Sequence, residues 1–363
     1  CAYAGNLRNI AKTLRQLEEI SGSSKIEIAH EMEDLLAGSV ELYEDAARKQ
    51  ALLAGYAKKC EHNISGDTIV VRLDQLAANL EGKADWMMKN IRANEWVKDG
   101  EDGWFNGYYD NHGRKVEGVM DESVRMMLTG QVFAIMSGTA TEDQVESICR
   151  SADKYLYDQK AGGYRLNTNF HEEKFDLGRM FGFAYGEKEN GAVFSHMAVM
   201  YANALYKQGF IKEGYKVLKT LLDTAMDFDR SRMYPGVPEY FDNDGRGLYS
   251  YLTGAASWYM LTMITSVYGV HGELGDLVIE PALMPQQYNE KGDAKVSLEF
   301  AGHGFDILVH NPDKLEPGDA QVKRALCDDV KVENVTGNSV RIPKHAIEML
   351  STDKCHTVEI YIE

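Results

Sequence analysis

The residues best suited to chemistry fall in two stretches, Lys188-Glu-Asn-Gly191 followed by His196, and Thr253-Gly254. The first belongs to Glu187–Gly209, EKENGAVFSHMAVMYANALYKQG, where Ala192, Val193, Met197, Met200, Tyr201, Ala204 and Leu205 recur at helical spacing. That pattern predicts a buried helix over 192–207 with His196 about one turn inside and a polar, glycine-hinged lead-in formed by Lys188, Glu189, Asn190 and Gly191. Unpaired backbone N–H groups and several polar side chains then share one helix mouth, a setting that favours a bound anion, phosphate among them. An ordinary first helical turn is the competing interpretation. The second stretch, YLTGAASWYM over 251–260, opens another buried helix. Thr253 supplies a hydroxyl and Gly254 a free N–H at its first turn, so the same physics applies, with plain N-capping by Thr253 as the alternative.

Two polar loops precede these helices. Asp99–Asp110 mixes Trp104 and Phe105 with carboxylates and glycines, as a sugar-binding loop does when aromatic faces stack on C–H faces and carboxylates hold hydroxyls. The alternative is a hairpin whose aromatics plug the wall of the fold. Glu101 and Asp102 invite a role as general acid, but a glycine-flanked loop in water does not raise a carboxyl pKa. Asp85, beside Trp86, falls mid-helix and reads as a surface carboxylate. The second loop, Arg232–Gly247, is stiffened by Pro235 and Pro238 and carries Glu239, Tyr240 and Arg246 as a polar aromatic face. The histidines stand mostly singly, without HxH or HExxH, so no zinc site is expected. His196, in an apolar helix, needs a partner if buried, and a satisfied core histidine is the other interpretation.

The elements that must position these residues change character along the chain. Helical periodicity runs through Leu7–Ile20, Ile26–Leu36, Val40–Tyr56 and Leu73–Ala93, with a break at Asn63–Val71, and Thr141–Gln144 has the pattern of a capping box opening a helix to about Tyr155. Helices joined alternately by short turns and long aromatic loops suggest a toroid of paired helices with the loops at one mouth. From about Leu277 alternation takes over, with strands expected at 296–300, 305–310, 322–326, 330–335 and 358–362. The expected division is a helical portion over 1–276 and a small antiparallel β domain over 277–363.

With 56 acidic and 39 basic residues the formal net charge is −17, and no basic run occurs. That argues against nucleic acid or an anionic membrane as partner, though not against a small anion in a locally positive pocket. Cys1, Cys60, Cys149, Cys327 and Cys355 are odd in number and lack CxxC spacing. They read as reduced thiols of a cytoplasmic protein, with the sequons at Asn63 and Asn334 as chance matches. No signal peptide or spanning apolar run is apparent.

Five segments, DGWFNGYYDNHGRKVEG (102–118), MLTGQVFAIMSGTAT (127–141), KENGAVFSH (188–196), YPGVPEYF (234–241) and YLTGAASWYM (251–260), together resemble the inverting glycoside phosphorylases of glycoside hydrolase family 94. The resemblance implies an (α/α)6 barrel, incomplete in this chain, followed by a small β domain. It implies phosphorolysis of a β-glucosidic bond to α-glucose 1-phosphate, with inorganic phosphate as co-substrate and no cofactor. Carried over by position, His196, Thr253 and Gly254 look like phosphate ligands, and Lys188 looks like a sugar contact accompanied by Glu189 and Asn190. Trp104, Glu239 and Tyr240 complete the expected substrate-binding set. The family's general acid lies in a G/A-D-W-N-D segment that this sequence lacks, so no catalytic residue is assigned and no turnover is expected from the chain alone. The expected partners are a β-gluco-oligosaccharide, phosphate and a missing N-terminal portion or separate subunit; a homodimer stays open. Tyr3-Ala-Gly-Asn-Leu-Arg-Asn9 and the long helical insert before Trp104 are most similar to 1,2-β-oligoglucan phosphorylases, suggesting β-1,2 linkages. Two alternatives remain: the corresponding part of a cyclic β-1,2-glucan synthase, and a non-catalytic helical toroid that binds oligosaccharide.

Overall fold

The computed structural model describes the chain except residues 37–40, 121–122, 172–173, 234–235 and 251–253, with Glu41 described by its backbone alone. Thr253 and Pro235, both singled out above, lie outside the described residues. The chain divides into two compact units, Cys1–Val97 with Phe133–Val145, and Lys98–Val132 with Glu146–Glu363. No helix among the described residues is long and apolar enough to cross a membrane.

The first unit begins with helix α1 (Ala2–Ser21), stopped by Gly22 at φ 64°. Strand β1 (Lys25–Ala29), a single 3-10 turn and helices α2 (Glu33–Leu36), α3 (Glu41–Glu44) and α4 (Ala46–Lys59) follow. Strand β2 (Thr68–Arg72) pairs antiparallel with β1, and helix α5 (Leu73–Asn94) returns along α1. Ala4 and Leu7 meet Ala84 and Met88, while Ala11 and Leu14 meet Leu73 and Ala77, so the two helices run antiparallel with small residues letting them approach. Arg8–Asp85 (2.6 Å) and Arg15–Glu81 (2.5 Å) flank this seam, which makes Asp85 a paired surface carboxylate. The helix expected over 26–36 is a correction: Ile26 and Ile28 sit opposite Val71 and Ile69 in a β ladder. β-branched residues facing one another stabilise that ladder more than a helix. The helix expected over 40–56 is likewise broken at Asp45, whose carboxylate caps α4 by accepting from the Arg48 N–H at 3.0 Å.

Strands β3 (Trp96–Asp99) and β4 (Asp102–Phe105) form a hairpin turned at Gly100, and β5 (Gly118–Val119) pairs with β6 (Val124–Arg125). Helix α6 (Leu128–Met136) precedes helix α7 (Glu142–Tyr155). The box predicted at the start of α7 is present: Thr141 N–H donates to Gln144 Oε1 (3.1 Å) and Gln144 N–H to Thr141 Oγ1 (3.4 Å). The small hairpin β7 (Tyr157–Asp158)–β8 (Gly163–Tyr164) and strand β9 (Val193–Phe194) lead into α8 (Ser195–Lys207). Helix α8 turns at Gly209 into α9 (Ile211–Met226), where Gly214 leaves room for the Tyr206 ring. After α10 (Phe228–Ser231), β10 (Tyr240–Phe241) and β11 (Gly247–Leu248), helix α11 (Gly254–Thr262) runs on into a π turn over Met263–Val267.

Helices α8 and α11 are parallel. His196, near the start of α8, touches Gly254 at the start of α11, and Asn203 further along donates to Thr262 Oγ1 (3.2 Å) and Ser266 Oγ (3.1 Å).

The C-terminal region holds β12 (Val270–Glu273), β13 (Asp276–Ile279), β14 (Asp293–Phe300), β15 (His303–His310), β16 (Val322–Cys327), β17 (Val330–Lys331), β18 (Val335–Thr336), β19 (Ser339–Ile342), helix α12 (Lys344–Glu348) and β20 (Cys355–Ile362). They form two sheets, β12-β13-β19-β18 and β14-β15-β20-β16-β17. The division placed at 276/277 falls inside β13. The expectation of a wholly antiparallel region is corrected at β15 and β20, which pair in parallel, as the long connection between them permits.

One carboxyl organises the DGWF segment. Glu117 is 2 % exposed and accepts from the N–H groups of Gly107 (2.5 Å) and Met127 (2.6 Å). Gln131 beside it clasps both the N–H and the C=O of Phe105, each at 2.8 Å. Burial pushes the Glu117 carboxyl up to about 8, the two N–H donors working against that rise. The folded protein therefore holds a proton that the unfolded chain has released, so this group's contribution is full at acid pH and is lost as pH climbs towards about 8. Urea unfolding is expected to show stability falling by on the order of 3 kcal/mol between about pH 5 and pH 9, with most of that slope removed in Glu117→Gln. An equal slope in both proteins would refute this assignment.

Candidate functional site

The site is built where β9 ends and α8 begins. Val193 and Phe194 pair with Phe241 and Tyr240, and the Ser195 N–H donates to the Glu239 carbonyl at 2.9 Å. The ladder takes the residues that the apolar periodicity had placed in the helix, so α8 starts at Ser195 rather than Ala192 and His196 is its second residue. The imidazole lies close against Gly254: a Cβ there would stand 2.9 Å from Cε1 and Nδ1 of His196. Gly254 is exposed and His196 half-buried, so the pair borders open space rather than a packed interior. His196 Nε2 is buried with no hydrogen-bond partner among the described residues, and Trp258 stands beside the ring at 5.8 Å between centroids. Burial lowers the His196 pKa, which keeps the imidazole neutral and able to donate from one nitrogen.

Lys188, Glu189 and Asn190 form a tight turn in front of this helix. The Asn190 N–H donates to the Glu187 carbonyl at 3.0 Å, and the Gly186 N–H to the Asn190 carbonyl at 2.7 Å. Lys188 holds φ 45°, a left-handed conformation costing a lysine roughly 1 kcal/mol. Its ammonium lies 4.3 Å from the Tyr249 ring centroid and 5.7 Å from that of Phe183. A hydrogen bond with Tyr249 raises the Lys188 pKa, and the carboxylates of Glu239 and Glu189 add to it. Glu189 pairs with Arg179 at 3.3 Å while its Oε2 is buried without a partner among the described residues.

The structure thus gathers His196, Gly254, Lys188, Glu189, Asn190, Glu239 and Tyr240, though not all of them face outward. Asn190 uses its amide inside the loop, donating to the Phe183 carbonyl at 2.8 Å. Tyr240 is 3 % exposed, stacks on Phe194 and donates its hydroxyl to Glu187 Oε2 at 2.9 Å. Both brace the loop. Trp104 is not brought to this cluster as a sugar platform. It is fully buried, packs edge-on against Tyr155 and donates its indole N–H to the Arg125 carbonyl at 3.2 Å, so no ring face is open to a ligand. Asp102 is held by Lys154 at 3.1 Å and Arg150 at 3.6 Å.

Sequence reasoning missed Ser195, whose buried Oγ has no partner among the described residues, and the Tyr249 ring beside Lys188. It also missed Arg165 and Asn167, which hold the loop from beneath. Only contact through the fold reveals these, since Arg165 lies far from Gly191 in the chain.

A sequence profile for the Glycosyl hydrolase 94 superfamily, catalytic domain, matches residues 71–269, more than half of the chain. The chain belongs to this superfamily. Among curated relatives of this glycosyl hydrolase 94 chain is cellobionic acid phosphorylase of Neurospora crassa, 28% identical over 286 residues, covering 72% of this chain and 34% of the relative. Solabiose phosphorylase of Paenibacillus borealis is 24% identical, over 72% of this chain and 34% of its own length. N,N'-diacetylchitobiose phosphorylase of Vibrio proteolyticus is 26% identical, over 61% of this chain and 28% of its own. The glycosyl hydrolase 94 chain therefore spans about a third of the length of the relatives it matches.

The loop geometry makes a direct prediction. Gly191 sits at φ 73°, and a Cβ there would fall 2.1 Å from Cε2 of Tyr185. Gly191→Ala is expected to cost roughly 2–4 kcal/mol in urea unfolding. Gly209→Ala, at φ 83° with nothing within 4 Å of the added carbon, should cost only about 1 kcal/mol. Equal effects would show that the Tyr185 contact is dispensable.

Proposed function

We propose that this chain forms the phosphate and donor-sugar side of an inverting β-glucoside phosphorylase. The observation that carries the proposal is His196: a neutral imidazole with a buried, unpartnered Nε2 (among the described residues), lying on Gly254 where two parallel helices begin. Both helix starts turn their positive dipole ends to one side, and an oxyanion between them accepts a hydrogen bond from Nε2–H of His196. Thr253, outside the described residues, is retained in this reading only as the sequence expectation. Lys188 and Glu189, on a turn carried just ahead of α8, are assigned to the glucosyl unit. A neutral histidine suits this role because it donates to phosphate without clamping it as a fixed ion pair.

In the proposed reaction a phosphate oxygen attacks the anomeric carbon from the face opposite the leaving sugar. The new C–O bond forms as the glycosidic C–O bond breaks, and the leaving oxygen takes a proton from an acid that the segments of this chain do not supply. Phosphate replaces the base-activated water of an inverting hydrolase. Helices α8 and α11 are parallel and in direct contact, and α9 packs on α8; we assign α8 and α11 as inner helices of an (α/α)6 barrel with α9 on the outside. Phosphorylase names among the relatives support the reaction class. The β-1,2 linkage rests on the likeness of Tyr3–Asn9 and of the helical insert before Trp104; Tyr3–Asn9 lies within α1, where Ala4 and Leu7 pack on α5 and Arg8 pairs with Asp85.

Titration of the 363-residue chain with inorganic phosphate, followed by calorimetry or 31P NMR, tests the reading. Saturable binding is expected, weakened about tenfold or more in His196→Ala through loss of a hydrogen bond to a charged ligand. Gly254→Ala should weaken it comparably, because the added carbon would displace the ring. Absence of phosphate binding, or binding indifferent to both substitutions, would overturn the proposal. Sugar binding with no phosphate dependence would point instead to a non-catalytic oligosaccharide-binding toroid. Glucose 1-phosphate release from β-gluco-oligosaccharide and phosphate is expected to be undetectable with this chain alone.

A further inference from the structure

We propose that Asn167, with Arg165, is a positioning residue that sets the Lys188–Glu189 turn at its working distance from His196; this rests on the phosphorylase reading above. Gly191 separates the two halves of the site, the turn on one side and the approach to α8 on the other. At φ 73° it belongs to neither the turn nor the strand, so its backbone polar groups have no place in a regular ladder. Two buried side chains take them instead. The Gly191 N–H donates to Asn167 Oδ1 at 2.8 Å, and the Gly191 carbonyl accepts from Arg165 Nη1 at 2.7 Å.

Each clamp residue is itself fixed. Asn167 is 0 % exposed; its side-chain amide nitrogen donates to the Thr168 carbonyl (3.0 Å) and to Asn190 Oδ1 (3.2 Å), and its backbone carbonyl accepts from the Tyr185 hydroxyl (3.3 Å). Arg165 is 7 % exposed, grips Asp158 with Nε (3.0 Å) and Nη2 (2.8 Å), and lies over the Tyr185 ring. The chain of contact runs from Asp158 through Arg165 to Gly191, and from Asn167 through Asn190 to the turn. Neither residue reaches His196 or Gly254 by any hydrogen bond among the described residues. The clamp therefore acts on the sugar half of the site and leaves the phosphate half to α8 and α11.

That asymmetry is what an experiment can read. Binding of D-glucose and of inorganic phosphate is measured separately by calorimetry for the 363-residue chain, Asn167→Ala and Arg165→Lys. Loss of a supporting hydrogen bond should weaken glucose about tenfold in Asn167→Ala and several-fold in the milder Arg165→Lys, with phosphate affinity within about twofold of wild type. Amide exchange at Gly191 should accelerate in both variants, a change a distant structural defect would not confine to this loop. Should Asn167→Ala fail to fold, Arg165→Lys carries the same split. Equal weakening of both ligands would assign the clamp a merely structural role and overturn the proposal. Unchanged glucose affinity with phosphate binding intact would overturn it too, while sparing the phosphorylase reading. A wild-type chain that binds neither ligand would remove that reading and this proposal with it.

Discussion

Two helices of the same direction begin side by side at His196 and Gly254, and that arrangement is unfavourable by itself. Aligned dipoles bring their positive ends together, and each end leaves backbone N–H groups without helical partners. Parallel packing must be held from elsewhere. Asn203 does this in part, buried at 1 % exposure and donating to both Thr262 and Ser266 where α11 passes into its π turn. A polar pair bridging two helices below the mouth fixes their register, as an apolar contact alone would not. The mouth keeps its excess of positive dipole and an imidazole nitrogen with no partner among the described residues. Under the proposed function, an anion settling there would relieve both at once.

The electrostatics of the surroundings have to be local. A chain of net charge −17 repels phosphate at a distance, and Glu187, Glu189 and Glu239 all belong to the cluster. Their charges are answered at close range. Tyr240 donates to Glu187, Arg179 pairs with Glu189, and Lys188 stands where Glu239 and Glu189 both raise its pKa. Carboxylates so occupied carry less uncompensated charge towards the His196–Gly254 mouth, which the proposed function requires. The strain at Lys188 fits the same logic: a left-handed lysine persists because the ladder at β9, the clamp at Gly191 and the Tyr249 ring over-determine the turn.

How much of this was visible in the residue order varies with the range of the interaction. The long helices α1, α5 and α7, the Thr141 capping box and the strands β14, β15, β16 and β20 declare themselves through local periodicity, because each satisfies its backbone or buries its face by a repeating pattern. Residues 25–29 and 193–194 misled for a shared reason: both are strands paired to partners remote in sequence, Thr68–Arg72 and Tyr240–Phe241, and nothing nearby announces the partner. The parallel pairing of β15 with β20 was hidden in the same way. Within the site, the helix mouths were legible because small residues and glycines mark them. Asn167 and Arg165 were not, since an asparagine and an arginine between Tyr164 and Phe170 look like any polar stretch until the fold sets Gly191 between them.

The aromatic residues carry the last distinction. Composition makes DGWF and the loop around Tyr240 look alike, both rich in rings, glycines and carboxylates, yet the fold treats their rings in opposite ways. Trp104 and Phe105 lie at 0 % and 2 % exposure, where Gln131 and the buried Glu117 tie their backbone to the start of α6. They are a pillar, and a pillar cannot also be a platform. Tyr249, by contrast, is 42 % exposed at φ 62° and lies beside the Lys188 ammonium, which also stands near the Phe183 ring. A ring beside a cation, partly open to solvent and mounted on a constrained backbone, has the attributes that stacking on a sugar requires. The ring left open to solvent is therefore Tyr249 beside Lys188, while the DGWF hairpin keeps its two rings packed inside.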